Sequence, residues 1–263
     1  MHVLYVALSC CIVASAEVPD RRPSLPFISG DTFRDYCDFV MDETSPSLDP
    51  KAVQEGDVIF LYTDYMPQFF RDIHPHIAYR YILVTHNSDY PVPREFGSIL
   101  DDPKLIAWFG QNVEHCSHPK LHPLPIGLAN RHWGHGNIDV VKAIQRLYKH
   151  VPKTTLLYMS FTLWTCHYER QPLYDLMKNQ DFCKNAPAVD FTLYLPHLAQ
   201  SKFVLSPRGN GLDCHRTWEA LLMGAIPILR TSSSDALYDD LPVVIVQEWE
   251  EITEDFLNKK WEE

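Results

Sequence analysis

The amino-acid sequence predicts an α/β protein whose parallel sheets are covered by helices. Short apolar runs, typical of buried strands, recur along the chain and are separated by longer connections. Between several of these runs, apolar residues recur at the spacing of an amphipathic helix. Both halves of the chain show this succession of strand and helix, so we expect the same architecture in each half.

The first half is expected to begin with a loose, proline-rich segment up to Pro26. A helix is predicted over residues 31–41 with Asp31 as its cap, and a turn-rich connector over 45–51 leads to an ordered core that starts near Gly56. Four buried strands and one helix follow in this half. The strands are predicted over 57–62, 81–85, 105–109 and 121–126, and the helix begins at Met66 and lasts until Pro75.

The second half is expected to begin after a hinge at Pro152, which follows a helix over residues 137–150. A short polar helix around Leu198 is predicted between two strands, 191–195 and 203–205. The remaining strands are predicted over 155–161, 226–229 and 243–246, and the remaining helices over 171–179 and 253–261.

The stretch 203–229 carries the strongest chemical signal. A short strand ends before Pro207, two glycines follow, and apolar residues at helical spacing then continue as far as Gly224. The N-terminus of a helix attracts anions, and Arg208 and Arg216 add guanidinium groups suited to phosphate oxygens. Glu219 lies one helical turn after Arg216, where a carboxylate can accept hydrogen bonds from ribose. The pattern favours a nucleotide site, although Arg216 and Glu219 could also form an ordinary surface ion pair.

The run from Ser206 to Ile228, SPRGNGLDCHRTWEALLMGAIPI, closely resembles the donor-site signature of exostosin-like glycosyltransferases. Three upstream pieces are similar to that group as well: VTHNSD at 84–89, WFGQN at 108–112 and PIGLAN at 125–130. The resemblance implies a GT-B fold, in which two Rossmann-like domains with parallel sheets face an interdomain cleft. It further implies an N-terminal extension over 17–55, an acceptor-side domain over 56–152 and a nucleotide-sugar-binding domain over 153–263.

The resemblance also implies roles for individual residues. A nucleoside diphosphate-sugar, UDP-sugar in the first place, is the expected donor, and a hydroxyl group of a glycan or glycoprotein is the expected acceptor. The donor is expected to contact Ser206, Arg208, Gly209, Asn210, Gly211, His215, Arg216 and Glu219. Trp218 is assigned to the core instead.

Polar residues follow three predicted strands at the edge where parallel sheets bind ligands. They are Asp64, His86, Asn87, Asp89, Gln111 and Asn112. Three of these, Asp89, His86 and Asp64, are candidates for the catalytic base that an inverting transferase needs, whereas a retaining enzyme needs none. Each of the three could equally be a cap or a loop residue.

A secretory location is expected from the N-terminus. Residues 1–16 are uncharged and apolar and end in Ala14-Ser15-Ala16, which predicts a signal peptide, with a short uncleaved anchor as the alternative. No later segment has the length and apolarity of a membrane span. In an oxidising lumen, Cys166 and Cys183 are the preferred disulfide pair, and Cys214 is expected to be a buried free thiol.

Several other functions are disfavoured by the sequence. The formal net charge of −11, without a basic stripe, argues against nucleic-acid binding. The chain has no Asp-x-Asp pair, so we expect transfer without a metal ion or other cofactor, and a zinc site at His115, His118 and His122 matches no standard spacing. Neither a dinucleotide-binding nor an ATPase or serine-hydrolase motif is present.

A second class of function stays open at this point. The chain could be a non-catalytic protein, derived from a truncated transferase domain, that binds a glycan or a partner subunit. It could also assemble with itself or with another subunit. Nucleotide-dependent stabilisation would separate a transferase from a pure glycan binder.

Overall fold

A computed structural model describes residues 21–114 and 117–263 as a mixed α/β structure with two five-stranded sheets, both parallel. This arrangement is compatible with two Rossmann-like domains, as the sequence predicted. The predicted signal peptide, residues 1–16, lies outside the described residues. Within the described ranges, no helix combines the length and the apolar character needed to cross a membrane.

The first sheet contains its strands in the order of the chain. They are β1 (Phe39–Met41), β2 (Val58–Tyr62), β3 (Tyr81–His86), β4 (Leu105–Gln111) and β5 (Leu121–Leu124). All neighbours are parallel, so their carboxyl ends meet at one edge. The four predicted strands of this half are confirmed, with boundaries that differ by up to two residues.

The start of the ordered core was predicted too late. The helix predicted over 31–41 is short, α1 (Gly30–Asp35), and the chain then forms strand β1 beside β2. Met41, Leu48 and Val53 are buried in the core of the first sheet, well before Gly56. Residues 39–41 are apolar and fit either a helix or an edge strand, and pairing with β2 decides between them.

The segment before α1 is also packed, contrary to the predicted loose N-terminus. Ser24 is fully buried, and its backbone N–H donates to the hydroxyl of Thr32 at 3.0 Å. The N–H of Leu128 donates to the carbonyl of Ile28 at 2.8 Å, and Phe33 packs on His86 with ring centres 5.4 Å apart. This segment and α1, to which Phe33 belongs, therefore cover part of the first sheet near its carboxyl edge.

The helical segments of the first half are short and irregular. The predicted helix at Met66 is present as α2 (Met66–Gln68), which continues as a π-helix over Phe69–Ile73 and a 3₁₀-helix over His74–His76. Further 3₁₀-helices cover Thr63–Tyr65, Arg94–Asp101 and Gly134–Gly136.

The second sheet has the strand order β10-β9-β8-β6-β7. Its strands are β6 (Thr155–Met159), β7 (Cys183–Asn185), β8 (Ser201–Leu205), β9 (Ile226–Arg230) and β10 (Val244–Val246). The chain order therefore reverses between β6 and β8. In open parallel sheets, such a reversal opens a crevice at the carboxyl ends of the two strands.

Helices cover both faces of the second sheet. They are α3 (Ile138–Tyr148), α4 (His167–Met177), α5 (Phe191–Ala199), α6 (His215–Leu222) and α7 (Glu254–Glu262), with 3₁₀-helices at Asp235–Tyr238 and Trp249–Glu251. Helices α3, α5 and α6 pack on one face, while α4 and α7 pack on the other. Helix α3 packs on the second sheet although it lies before residue 152, where the boundary between the two domains was predicted. The position of that boundary stays a prediction.

One predicted strand is in fact a helix. Residues 191–195 belong to α5, which begins after Asp190 and buries Leu195, Leu198 and Ala199 against the second sheet. The alternation of apolar and polar residues over this short run suited a strand, but burial of the residues that follow favours a helix.

The predicted disulfide between Cys166 and Cys183 is absent, and both thiols are free. Cys166 directly precedes α4, and Cys183 opens the strand that follows the helix. A helix of 11 residues is roughly 16 Å long, which is more than twice the span of a disulfide between Cα atoms. Cys214 is a free thiol, as expected, and is partly buried.

Candidate functional site

The strand, turn and helix predicted over residues 203–229 are confirmed. Strand β8 leads into a turn, residues 206–214, and α6 follows directly. The buried hydroxyls of Ser206 and Thr217 lie 2.9 Å apart and fasten the turn to the helix. Gly224 follows the helix with a φ of +70°, which agrees with its predicted role as the end of the run.

Gly209 and Gly211 permit close packing and do not adopt unusual backbone angles. Neither of the two glycines has a positive φ, so their backbone angles are open to other residues as well. A Cβ atom on Gly211 would lie 2.4 Å from Nδ2 of Asn112, whereas one on Gly209 would meet no atom nearer than 3.3 Å. The turn therefore contacts the first half of the chain closely at Gly211.

This contact gives a matched pair of alanine variants. Gly211→Ala should lower the free energy of unfolding by about 1–2 kcal/mol, because the buried Asn112 side chain must move. Gly209→Ala should lower it by no more than about 0.5 kcal/mol, since its tightest contact, 3.3 Å to Nη2 of Arg170, is relieved by a shift of a few tenths of an ångström. Urea unfolding of both variants checks this, and equal losses would contradict the packing role of Gly211.

A cavity of about 600 Å³, here called the turn cavity, lies beside the turn. It is bounded by residues 160–162, which follow β6, and by residues after β8, so it occupies the crevice where the strand order reverses. The predicted nucleotide-binding residues that line it are Gly209, Asn210, Gly211, His215, Arg216 and Glu219. The sequence thus identified most of the wall formed by the turn and α6.

Arg216 is held in the turn cavity by backbone and aromatic contacts. Its Nε atom donates to the carbonyl oxygen of Ser160 at 3.2 Å, and its guanidinium carbon lies 5.6 Å from the ring centre of Phe161. These contacts fix a planar cation at the cavity wall. Such a group can bind two phosphate oxygens at once.

Glu219 is buried, with 5% of its surface exposed, so the alternative of a surface ion pair with Arg216 is wrong. Burial raises the pKa of Glu219 to about 7, although the charge of Arg216 and a hydrogen bond from Tyr194 oppose this shift. When a buried carboxyl group of this kind is ionised, its oxygens need hydrogen-bond donors as partners. Ribose hydroxyl groups would provide such donors.

Arg208 does not lie beside Arg216 in the turn cavity, contrary to the sequence prediction. Together with Ser206, it lines a separate cavity of about 240 Å³. Its Nη2 atom donates to the carbonyl oxygen of Asn210 at 2.9 Å and lies 3.6 Å from Oε1 of Glu114. Side chains on an irregular turn have no fixed period, so the sequence could not tell which way Arg208 points.

The second cation of the turn cavity is Arg170, which the sequence analysis missed. It is buried on α4, and its guanidinium donates to the carbonyl oxygens of Arg208 and Thr162, each at 2.8 Å. Burial and the nearby charge of Arg216 both lower the pKa of Arg170. The predicted helix began at Gln171, four residues after the start of α4 at His167, so it left Arg170 out, and no local pattern connects Arg170 with the turn.

A second cavity of about 750 Å³, here called the first-sheet cavity, lies at the carboxyl ends of β2, β3 and β4. As predicted, the polar residues that follow these strands gather there. Those that line it are Asp64, His86, Asn87, Asp89 and Gln111. The sixth candidate, Asn112, instead holds the turn, because its Oδ1 accepts the N–H of Asp213 at 3.2 Å.

The two cavities adjoin. Both are lined by Asp89, Ile126, Asn210 and His215, and Nδ2 of Asn210 donates to Oδ2 of Asp89 at 3.0 Å. The turn that follows β8 therefore contacts the loop that follows β3 at the junction. Two ligands, one in each cavity, would meet at Asp89.

His86 cannot exchange a proton with a ligand in this arrangement. Its Nδ1 accepts the N–H of Asn87 at 2.8 Å, and its Nε2 donates to the carbonyl of Pro125 at 3.1 Å. Burial lowers the pKa of His86 to about 4. With both nitrogens engaged, this predicted base is a neutral residue that connects two loops.

His215 is also neutral, but only one of its two ring nitrogens is hydrogen-bonded to the backbone. Its Nδ1 donates to the carbonyl of Gly127 at 2.8 Å, which leaves Nε2 without a proton. Burial lowers the pKa of His215 to about 4. Nε2 of His215 can therefore accept a hydrogen bond from a ligand at the junction of the two cavities.

The two predicted carboxylate bases differ in position. Asp89 lines both cavities, whereas Asp64 lines only the first-sheet cavity and accepts a hydrogen bond from the hydroxyl of Ser88. A base must lie within reach of the acceptor hydroxyl at the point of transfer. Asp89 satisfies this requirement better than Asp64.

Asp213 directly precedes Cys214, the residue at the N-cap position of α6. Asp213 is buried, and its carboxylate accepts four hydrogen bonds, from the backbone N–H groups of Ile126 and Cys214 and from the side chains of Trp218 and Tyr238. Ile126 follows the first sheet, and the other donors belong to the second half. Asp213 therefore joins the two halves behind the junction.

In the part of the chain that the structure describes, no three His, Cys, Asp or Glu side chains are grouped for a metal ion. His118 and His122 are described, whereas His115 and Cys116 lie outside the described residues. The imidazole of His122 instead stacks on Phe109 at 4.9 Å.

No protein-family model matches the chain, and no curated protein matches it significantly. Function is therefore inferred from the geometry of the two cavities and from the motif itself.

Proposed function

We propose that the chain is a glycosyltransferase of GT-B type, related to the exostosin-like group. It would transfer a sugar from a nucleoside diphosphate, with UDP-sugar as the first candidate, to a hydroxyl group of a glycan or glycoprotein in the secretory pathway. The observation that carries this function is the junction of two cavities at Asp89 and Asn210. A transferase needs such a junction, because its two substrates must be held in contact.

The turn cavity suits the donor. Arg216, together with the backbone N–H groups at the start of α6, would bind the diphosphate and stabilise its charge as the leaving group. Arg170 adds a second positive charge and holds both loops that border the cavity. Glu219 would accept hydrogen bonds from the ribose. These positive charges let the chain bind a diphosphate without a metal ion.

The first-sheet cavity would hold the acceptor with one hydroxyl at Asp89. In an inverting transfer, the acceptor oxygen forms a bond to the anomeric carbon while the bond from that carbon to the phosphate oxygen breaks. The electron pair leaves with the nucleoside diphosphate, and Asp89 takes the hydroxyl proton. The pairing of Asp89 with Asn210 connects the base to the turn beside the donor.

The pH dependence of donor binding tests this assignment. Since the pKa of Glu219 is about 7 in the folded protein, its carboxylate becomes ionised as the pH rises from 6 to 8. An ionised carboxylate binds ribose hydroxyls better, so the affinity for UDP-glucose should increase up to about tenfold over this range. Isothermal titration calorimetry at pH 6, 7 and 8 measures it. UDP-glucose has no phosphate group that titrates in this interval.

Glu219→Gln is the control for this experiment. It should bind UDP-glucose with an affinity that changes by no more than about twofold over this range, because the glutamine amide does not titrate and Asp213, whose pKa is about 6, is already about half ionised at pH 6. Relative to unliganded Glu219→Gln, the unliganded wild-type protein should lose stability as the pH rises from about 4.5 to about 7, since its folded state holds the Glu219 proton longer than the unfolded state. A complete lack of UDP-glucose binding at every pH would contradict the proposed function.

A further inference from the structure

An exposed aromatic side chain lies in the first-sheet cavity, most of whose other lining residues are polar or charged. Trp133 is 57% exposed and lines this cavity. Its backbone is fixed, because its N–H donates to the carbonyl of Asn130 at 2.9 Å and its carbonyl accepts the N–H of Gly136 at 2.9 Å. The rings of His132 and His135 flank the indole at 5.1 and 6.4 Å. A large apolar ring held open in a polar cavity suits a ligand with one apolar face.

Tyr90 adds a second exposed ring to the same cavity. It is 51% exposed, and the guanidinium of Arg94 lies 4.9 Å from its ring centre. Sugar rings carry hydroxyl groups around their edge and C–H groups on their faces. A cavity with exposed aromatic rings and many hydrogen-bond acceptors therefore matches a carbohydrate better than a purely polar or purely apolar ligand.

Among the described residues that line the cavity, no arginine or lysine is left unpaired to bind an anionic carbohydrate, and Arg94 beside Tyr90 is paired with Glu95 at 3.3 Å. Among the described residues that line it, Glu43, Asp64 and Asp89 are carboxylates and Arg21 is the cation. The guanidinium of Arg21 pairs with Asp31 at 3.1 Å and with Glu43, so its charge is neutralised within the protein. An anionic ligand would lose water there without gaining a cation.

The histidines of the cavity do not change this balance near neutral pH. Burial lowers the pKa values of His86 and His215 to about 4, and it also lowers the pKa of His132. All three imidazoles are therefore neutral in the range where the protein would work. A sulfate, phosphate or uronate group would face an excess of carboxylates.

We propose that the acceptor is a neutral sugar that stacks on Trp133, and not a sulfated, phosphorylated or uronate-rich glycan. This inference depends on the proposed function and specifies the acceptor class for the same cleft. The carboxylates and amides around the indole would accept hydrogen bonds from the sugar hydroxyls, and one hydroxyl would reach Asp89 at the junction.

Direct binding tests the proposal. Cellotetraose, xylotetraose, mannotetraose and chitotetraose are titrated into the wild-type protein at about 0.15 M salt, where weak surface electrostatics are screened. A heparin-derived tetrasaccharide serves as the anionic comparison. At least one neutral tetrasaccharide should bind saturably, and the heparin fragment should bind at least about tenfold more weakly.

Two tryptophan variants locate the binding. Trp133→Ala should weaken binding of the neutral tetrasaccharide by about tenfold or more, as expected for the loss of one stacking surface. Trp164→Ala is the matched control, because Trp164 is 78% exposed and lies outside the residues that line this cavity. UDP titration of the same variants shows that each is folded and keeps its donor cavity.

Opposite results overturn the proposal. Tighter binding of the heparin fragment, no binding of any neutral tetrasaccharide, or equal losses in Trp133→Ala and Trp164→Ala would each exclude a neutral acceptor stacked on Trp133. If one of these results is obtained while UDP still binds, the neutral acceptor class is wrong and the proposed donor site is unaffected. If UDP fails to bind while a neutral sugar binds, the proposed transferase function fails instead.

Discussion

Arg216→Ala is expected to bind UDP about a hundredfold more weakly than the wild-type protein, which corresponds to about 2.7 kcal/mol. The guanidinium of Arg216 is fixed by Ser160 and Phe161 at the wall of the turn cavity. A diphosphate in this cavity would lose a charge-assisted, bidentate contact. Isothermal titration calorimetry with UDP measures the loss.

Arg208→Ala is the informative control, because the sequence motif gives both arginines the same role. The structure places Arg208 in a different cavity, so its removal should change the affinity for UDP by less than about threefold. Arg216→Lys should be intermediate, since lysine keeps the charge but lacks the planar fork. A larger loss in Arg208→Ala than in Arg216→Ala would show that the diphosphate binds elsewhere.

Asp213→Ala is expected to lower the free energy of unfolding by about 3–5 kcal/mol at pH 7.5, because it leaves several buried donors without a partner. The carboxylate accepts bonds of 2.7–3.0 Å from Ile126, Cys214, Trp218 and Tyr238. Burial raises the pKa of Asp213 to about 6, so the group is ionised at this pH and each of its four neighbours donates to it.

Urea unfolding of Asp213→Ala and of Asp181→Ala checks this prediction. Asp181 is exposed on a turn before β7, and its removal should change the free energy of unfolding by less than about 0.5 kcal/mol. If Asp213→Ala unfolds at the same urea concentration as the wild-type protein, the carboxylate does not join the two halves as described.

The strands were largely predictable, because parallel strands buried on both faces give continuous apolar runs such as Val58–Tyr62 and Tyr81–His86. Strand β1 was not, since its three residues fit two interpretations until the partner strand is known. For the same reason, residues 191–195 were predicted as a strand although they belong to helix α5. Short apolar runs specify burial but leave the type of element to tertiary packing.

The candidate site was predictable where helix geometry fixes it. Arg216 and Glu219 were identified because residues three apart share one face of a helix. Arg208 lies on a turn without a period, and its direction depends on Asn210 and Glu114. Arg170 reaches the turn from another element, and the acceptor residue, Arg208, lies 38 positions further along the chain. Contacts of that range leave no local pattern in a single sequence.

Release of UDP from a panel of UDP-sugars measures most directly whether the cleft binds and activates a sugar nucleotide. The wild-type protein should hydrolyse at least one UDP-sugar slowly without an acceptor, and Arg216→Ala should lose nearly all of this activity. Equal UDP release by the two proteins would contradict a catalytic role of the turn cavity. If UDP binds but no sugar nucleotide is cleaved, the protein is a non-catalytic binder.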